Sequence, residues 1–111
     1  MATKLNPTYT LSGRIVDRQG KPLAGLTVRA YDQDLRSKDD LLGEATTNRD
    51  GRYTIRFAQV QFKHDDKESS GPDLYIRVFD EDEQVAISPV RRNAGRRTSI
   101  SLQVDLPAGA A

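Results

Sequence analysis

Cysteine and tryptophan are absent from this sequence, and histidine occurs once. Without thiols there is no disulfide staple, no thiolate metal ligand and no sulfur nucleophile, whichever compartment holds the chain. A single imidazole, His64, sits in a charged loop with no evident third group to orient it as a base. An excess of one charge is missing as well: Lys and Arg number 17 against 16 Asp and Glu. A balance this close removes the long-range field of a dedicated nucleic-acid binder, so no nucleic-acid partner is expected. No apolar run approaches the ~20 residues of a membrane helix, so membrane insertion is not expected either. The opening residues, Met1 to Pro7, lack the apolar stretch of a signal peptide. Localisation is left open, with export inside a larger bacterial assembly as one route.

What is present is a soluble composition, 36% hydrophobic and 30% charged, on 111 residues. That suffices for one modest two-layer domain. The apolar residues alternate with polar ones in short runs separated by turns that contain Gly, Pro and Asp. Alternation at period two places one face of each run against a core and the other in water. The first run spans Tyr9 to Val16 and the second Leu26 to Asp32, after a turn at Asp17 to Pro22. Leu42 to Thr47 reads as a short edge strand, with Leu35, Leu41 and Leu42 anchoring the preceding loop. Asp50-Gly51 is a hairpin signal, followed by a strand from Arg52 to Phe57. Gln59 to Asp73 has no periodicity, and Val60 and Phe62 are expected to plug the rim. Leu74 to Asp80 is a strand with Tyr75, Arg77 and Phe79 facing outward. Glu81 to Gln84 forms a solvated tip, Val85 to Ile87 returns, and Ser99 to Asp105 closes the domain as one strand. The spacing predicts an all-β fold, a sandwich of about seven strands of Greek-key type. The expected domain covers residues 9–105, with flexible segments at 1–8 and 106–111.

Gly13-Arg14-Ile15-Val16-Asp17, Gly20-Lys21-Pro22-Leu23-Ala24-Gly25 and Val28-Arg29-Ala30 resemble the opening of carboxypeptidase-regulatory-like modules. Thr47 to Ile55, with its Gly51-Arg52-Tyr53-Thr54-Ile55 core, is similar to their second signature. The resemblance implies a transthyretin-like (prealbumin) sandwich. Tyr31 to Arg36, Leu42-Gly43-Glu44, Asp73 to Val78 and Ser88-Pro89 look like a subgroup of it. That subgroup occurs as accessory domains of large bacterial toxin-like proteins, including Tc-type toxin A components and neuraminidase-like relatives. It implies a role in spacing, docking or assembling a larger secreted structure.

Enzymes of related fold set the comparison for catalysis. A purine-pathway hydrolase of the transthyretin-like fold uses more than one histidine, and intradiol dioxygenases need two Tyr and two His on iron. With His64 alone, the sequence predicts no enzyme, no catalytic residue, no metal site and no cofactor. Asp32, Asp34, Asp39 and Asp40 carry oxygen ligands suited to calcium but lack the spacing of a calcium loop. Asp32 is expected to cap a strand end and pair with Arg36 or another nearby Arg. The acidic tip Asp80 to Glu83 reads as a solvated turn.

Two groups remain as candidate contact sites. Arg91, Arg92, Arg96 and Arg97 form the densest basic stretch, a candidate site for an anion or an acidic partner. Arg29, Tyr31, Tyr75 and Arg77 form a candidate exposed face. The expected function is a structural or interaction module with protein partners or self-association, working in part by strand addition at open edges. Carbohydrate or host-surface binding is the alternative.

Overall fold

The computed structural model describes residues 8–59 and 71–106. The residues expected to plug the rim (Val60 and Phe62), His64, residues 1–7 and the tail 107–111 lie outside the described residues. Eight strands are present: β1 Thr8–Val16, β2 Thr27–Asp32, β3 Asp40–Thr46, β4 Arg52–Ala58, β5 Leu74–Asp80, β6 Glu83–Ile87, β7 Arg97–Ser99 and β8 Leu102–Gln103. They form two four-stranded sheets. One runs β4-β1-β7, with β8 also beside β1, and the other runs β3-β2-β5-β6. The fold is an all-β sandwich, as the alternation predicts.

The core lies where period two places it. Leu11 and Ile15 of β1 and Tyr53, Ile55 and Phe57 of β4 meet Val28 and Ala30 of β2 and Ile76 and Val78 of β5. Each aliphatic side chain removed from water in this way contributes roughly 1.5–3 kcal/mol. Tyr9 and Phe57 stack with ring centroids 5.4 Å apart and extend the layer to the end of the first sheet.

Four expectations are corrected. The Asp50-Gly51 turn forms, but no hairpin follows it, because β3 and β4 belong to different sheets. Asn48 holds this corner: its side-chain oxygen accepts from Asp50 N–H and Arg52 N–H, at 2.9 and 3.0 Å. Gly51 takes φ of +73°, and a Cβ there would stand 2.4 Å from the Ile15 carbonyl oxygen. The corner therefore turns the chain across the sandwich rather than back along one sheet.

Second, the final strand is broken at Ile100 and Ser101. Its two halves keep one parallel register with β1, Ser12 opposite Ser99 and Ile15 opposite Leu102. Between them one backbone bond survives, from Ile100 N–H to the Ser12 carbonyl at 2.9 Å, and side chains take the place of the next. The Tyr53 hydroxyl donates to the Ile100 carbonyl at 2.6 Å, and Arg14 N–H donates to Ser101 Oγ at 3.0 Å. Third, Leu42 is buried, but Leu41 and Leu35 are 54% and 82% exposed and anchor nothing in the core. A bulge in β3 between the pairs Ala30–Gly43 and Tyr31–Leu41 separates the two neighbours and sends Leu41 to the outer face. Fourth, β1 begins at Thr8, within the segment expected to be flexible.

Candidate functional site

The outer face of the β3-β2-β5-β6 sheet is built by register. Tyr31 of β2 lies opposite Tyr75 of β5, Arg29 opposite Arg77, and Thr27 opposite Phe79. Cross-strand neighbours on one face approach closely enough for their side chains to interlock. The tyrosine rings stack at 5.3 Å with 17° between planes. Arg77 lies over both, 5.3 Å from Tyr31 and 5.5 Å from Tyr75, and Arg29 lies 4.6 Å above Phe79. Each guanidinium also has a polar partner from the flanking strand. Arg29 Nε donates to Glu44 Oε1 of β3 at 3.1 Å, and Arg77 Nη1 to Gln84 Oε1 of β6 at 2.9 Å. Held flat by rings and anchored at one end, these arginines lose little further freedom when a partner meets them.

Tyr75 requires a correction. It points away from the core as predicted, but only 3% of it is exposed. The loop between β2 and β3 covers it, and its hydroxyl donates to the Asp39 carboxylate. Burial, then the bond to Asp39, raises its pKa above 10, with Arg77 opposing. The aspartates of this loop serve its own shape. Asp39 Oδ1 accepts from Asp34 N–H at 2.9 Å, and Asp34 accepts from Arg36 N–H at 2.9 Å and from the Ser37 hydroxyl at 2.7 Å. Asp32 accepts from Asp73 N–H at 2.8 Å, which ties the end of β2 to the start of β5.

The accessible part of the face is therefore the half-buried Arg29, Tyr31, Arg77 and Phe79, flanked by two exposed apolar residues that the periodicity missed. Leu41 lies opposite Tyr31, and Ile87, 51% exposed, lies opposite Arg77. The missing signal was the pairing of β3 and β6 with the central strands. A lone Leu or Ile is ordinary on a surface, and only register gathers these two around the arginine ladder.

Arg91, Arg92, Arg96 and Arg97 are all exposed, and their contacts lead in different directions. Arg91 donates to the Ser99 carbonyl at 3.1 Å, Arg92 pairs with Asp73 at 3.5 Å, and Arg96 lies 5.8 Å from the Tyr9 ring. Arg97 stands on the outer face of the other sheet, opposite Thr10.

No protein-family profile matches the chain, and no curated protein matches it by sequence. Solved structures do. A 9R-lipoxygenase from Cyanothece PCC8801 is similar over 94% of this chain, at 18% identity and a TM-score of 0.61, but only 19% of the lipoxygenase is covered. An intradiol ring-cleavage dioxygenase from Tetranychus urticae is similar over 92% of this chain and 82% of its own, at 12% identity and a TM-score of 0.55. The dioxygenase domain of a dioxygenase carbohydrate-binding protein fusion from Streptomyces sp. SirexAA-E matches 96% of this chain and 85% of its own, at 14% identity and a TM-score of 0.55. The likeness is one of fold. It overturns the expectation that the chain is no enzyme, which rested on the shortage of histidine and the lack of cysteine, because the sandwich itself is shared, over nearly its whole length, with ring-cleaving dioxygenases. The Tyr53 hydroxyl is committed to Ile100 and that of Tyr75 to Asp39, and no cluster of three or more His, Cys, Asp or Glu forms among the described residues.

Proposed function

We propose that this sandwich is an interaction module that docks a protein partner on the outer face of the β3-β2-β5-β6 sheet, as one component of a larger assembly. The observation that carries it is the ladder of Arg29 on Phe79 and Arg77 on Tyr31, flanked by exposed Leu41 and Ile87. Arginine and aromatic side chains held rigid beside apolar ones are the residue types that dominate interface energies. Face docking is favoured over strand addition at this sheet because both of its edge strands, β3 and β6, carry register shifts. Bulges of that kind blunt an edge against a further strand. Support for a larger context comes from the lipoxygenase, where a similar sandwich accounts for a fifth of a longer chain. The resemblance of the Gly13 to Ala30 and Thr47 to Ile55 motifs to accessory modules of secreted toxin-type proteins points the same way.

The test is photo-crosslinking in extracts of the producing organism. A crosslinking side chain is placed at Leu41, at Ile87, or at Thr54 on the opposite sheet. One discrete adduct from positions 41 and 87, absent from 54, is the expected result, and its mass separates a second copy of the chain from another protein. Equal labelling from all three positions, or none from 41 and 87, overturns the proposal.

A further inference from the structure

The near-zero net charge conceals a segregation of charge between the two sheets. The acidic loop from Asp34 to Asp40 and the acidic tip from Asp80 to Glu83 both belong to the β3-β2-β5-β6 sheet. The outer face of the other sheet is basic. Register sets Arg56 of β4 and Arg97 of β7 on either side of Thr10, Thr54 and Ser99 on either side of Ser12, and Arg52 opposite Arg14. Ser101 completes the last row, where its Oγ accepts from Arg14 N–H. The surface is thus a floor of hydroxyls with a pair of arginines at each end. Two shallow depressions follow it, one walled by Arg56 and Arg97 and the other by Arg14 and Arg52, and they share Ser12 and Ser99.

These arginines differ in their surroundings from those on the opposite face. Arg29 and Arg77 also oppose each other, but each lies on a ring and Arg29 meets Glu44. On the basic face no aromatic ring intervenes. Among the described residues the ion pairs are Arg18–Asp105, Arg29–Glu44 and Arg92–Asp73, none of which involves Arg14, Arg52, Arg56 or Arg97. Arg14 and Arg52 stand directly opposite each other, Arg14 Nε also donating to the Asp50 carbonyl at 3.0 Å, while Arg56 and Arg97 flank Thr10. Like charges set together on a sheet without an acidic partner work against it, and a negative ligand relieves them.

We infer that this face binds an acidic polysaccharide, with its carboxylate or sulfate groups on the two arginine pairs and its hydroxyls on the Ser/Thr floor. Charge complementarity selects an anion, and guanidinium forks suit carboxylate and sulfate oxygens. The spacing selects a chain. Thr10 and Arg14 are four residues apart on one strand, so the arginine pairs lie about 13 Å apart, too far for one small anion to engage both. The intervening hydroxyls select a ligand that is itself rich in hydroxyl groups between its charges. Nucleic acid fits less well, because the face has no ring on which bases stack and a flat sheet enters no groove. This inference is independent of the docking face proposed above.

The experiment is titration calorimetry of the full chain with heparin fragments, polygalacturonate, neutral dextran and an oligothymidylate, each at low and physiological salt. Binding to heparin or polygalacturonate, weakened by salt and absent for dextran, is expected, and the preferred polymer tells sulfate from carboxylate. Arg56→Gln with Arg97→Gln should weaken that binding roughly tenfold or more, while Arg92→Gln, whose partner is Asp73, leaves it unchanged. Thr54→Val should weaken binding without altering its salt dependence. All of these positions are exposed, and unchanged thermal unfolding verifies that each variant folds. No binding to either acidic polymer, undiminished binding in the double variant, or tighter binding of the oligothymidylate overturns the inference.

Discussion

Tyr53 carries more of this structure than its size suggests. Its ring belongs to the core, and its hydroxyl reaches across Gly13 of β1 to the Ile100 carbonyl, where the last strand is interrupted. Gly13 makes room for that contact: a Cβ there would stand 1.9 Å from the Ile100 oxygen and 2.9 Å from the Tyr53 ring. Tyr53→Phe leaves a buried carbonyl without its donor, which costs about 1–3 kcal/mol. Desolvation raises the Tyr53 pKa well above the ordinary 10. A folded-state pKa above the unfolded value means that the native state holds its proton longer. Stability is therefore full below pH 10 and falls as pH rises beyond it. Tyr75, shifted in the same direction, adds to the fall. Urea midpoints measured from pH 7 to 11 should drop steeply above pH 10 in the parent chain. Tyr53→Phe should start lower and drop less, and parallel curves for the two would refute this account of the alkaline loss.

At the scale of elements, the corner between β3 and β4 decides the topology. Asn48 binds two backbone donors around it, and Gly51 supplies the positive φ and the space beside Ile15. Asn48→Ala should cost about 1 kcal/mol as those bonds pass to water. Gly51→Ala should cost more, about 2–3 kcal/mol, since it adds strain at positive φ to a contact with backbone that cannot move aside. Equal losses in chemical denaturation would show that the close approach to Ile15 is unimportant. The same corner shows where legibility in the sequence ends. Period two located nearly every strand, because burial of Tyr53, Ile55 and Phe57 or of Ile76 and Val78 is a local property of each run. The turn at Asp50-Gly51 was legible too, but a turn does not say whether its strands pair or part. That outcome depends on the packing of Gly51 against Ile15, 36 residues earlier. The break at Ile100 was hidden for the same reason, since it rests on a hydroxyl from Tyr53. Of the docking face, Arg29, Tyr31 and Arg77 could be read from alternation. Leu41 and Ile87 could not, because bulges in β3 and β6 reset their register.

On the scale of the whole molecule, the sandwich presents two chemically unlike surfaces with an apolar core between them. Packed sheets lie about 10 Å apart, so their outer side chains are separated by more than the Debye length of about 8 Å at physiological salt. The two faces should then act independently. Ile87→Glu is expected to abolish crosslinking from position 41 while leaving the affinity for heparin or polygalacturonate within experimental error. Arg56→Gln with Arg97→Gln is expected to do the reverse. Sites this far apart without shared partners add to within about 0.5 kcal/mol. Lowering the salt to 0.01 M extends the Debye length to about 30 Å. Charges on one face then reach the other, and Ile87→Glu, which adds a negative group, should weaken polysaccharide binding detectably there. Coupling at physiological salt would instead show that the faces communicate through the core or through a shared edge. Loss of both activities in either single-face variant would place the two ligands on one surface and remove the division of labour proposed here.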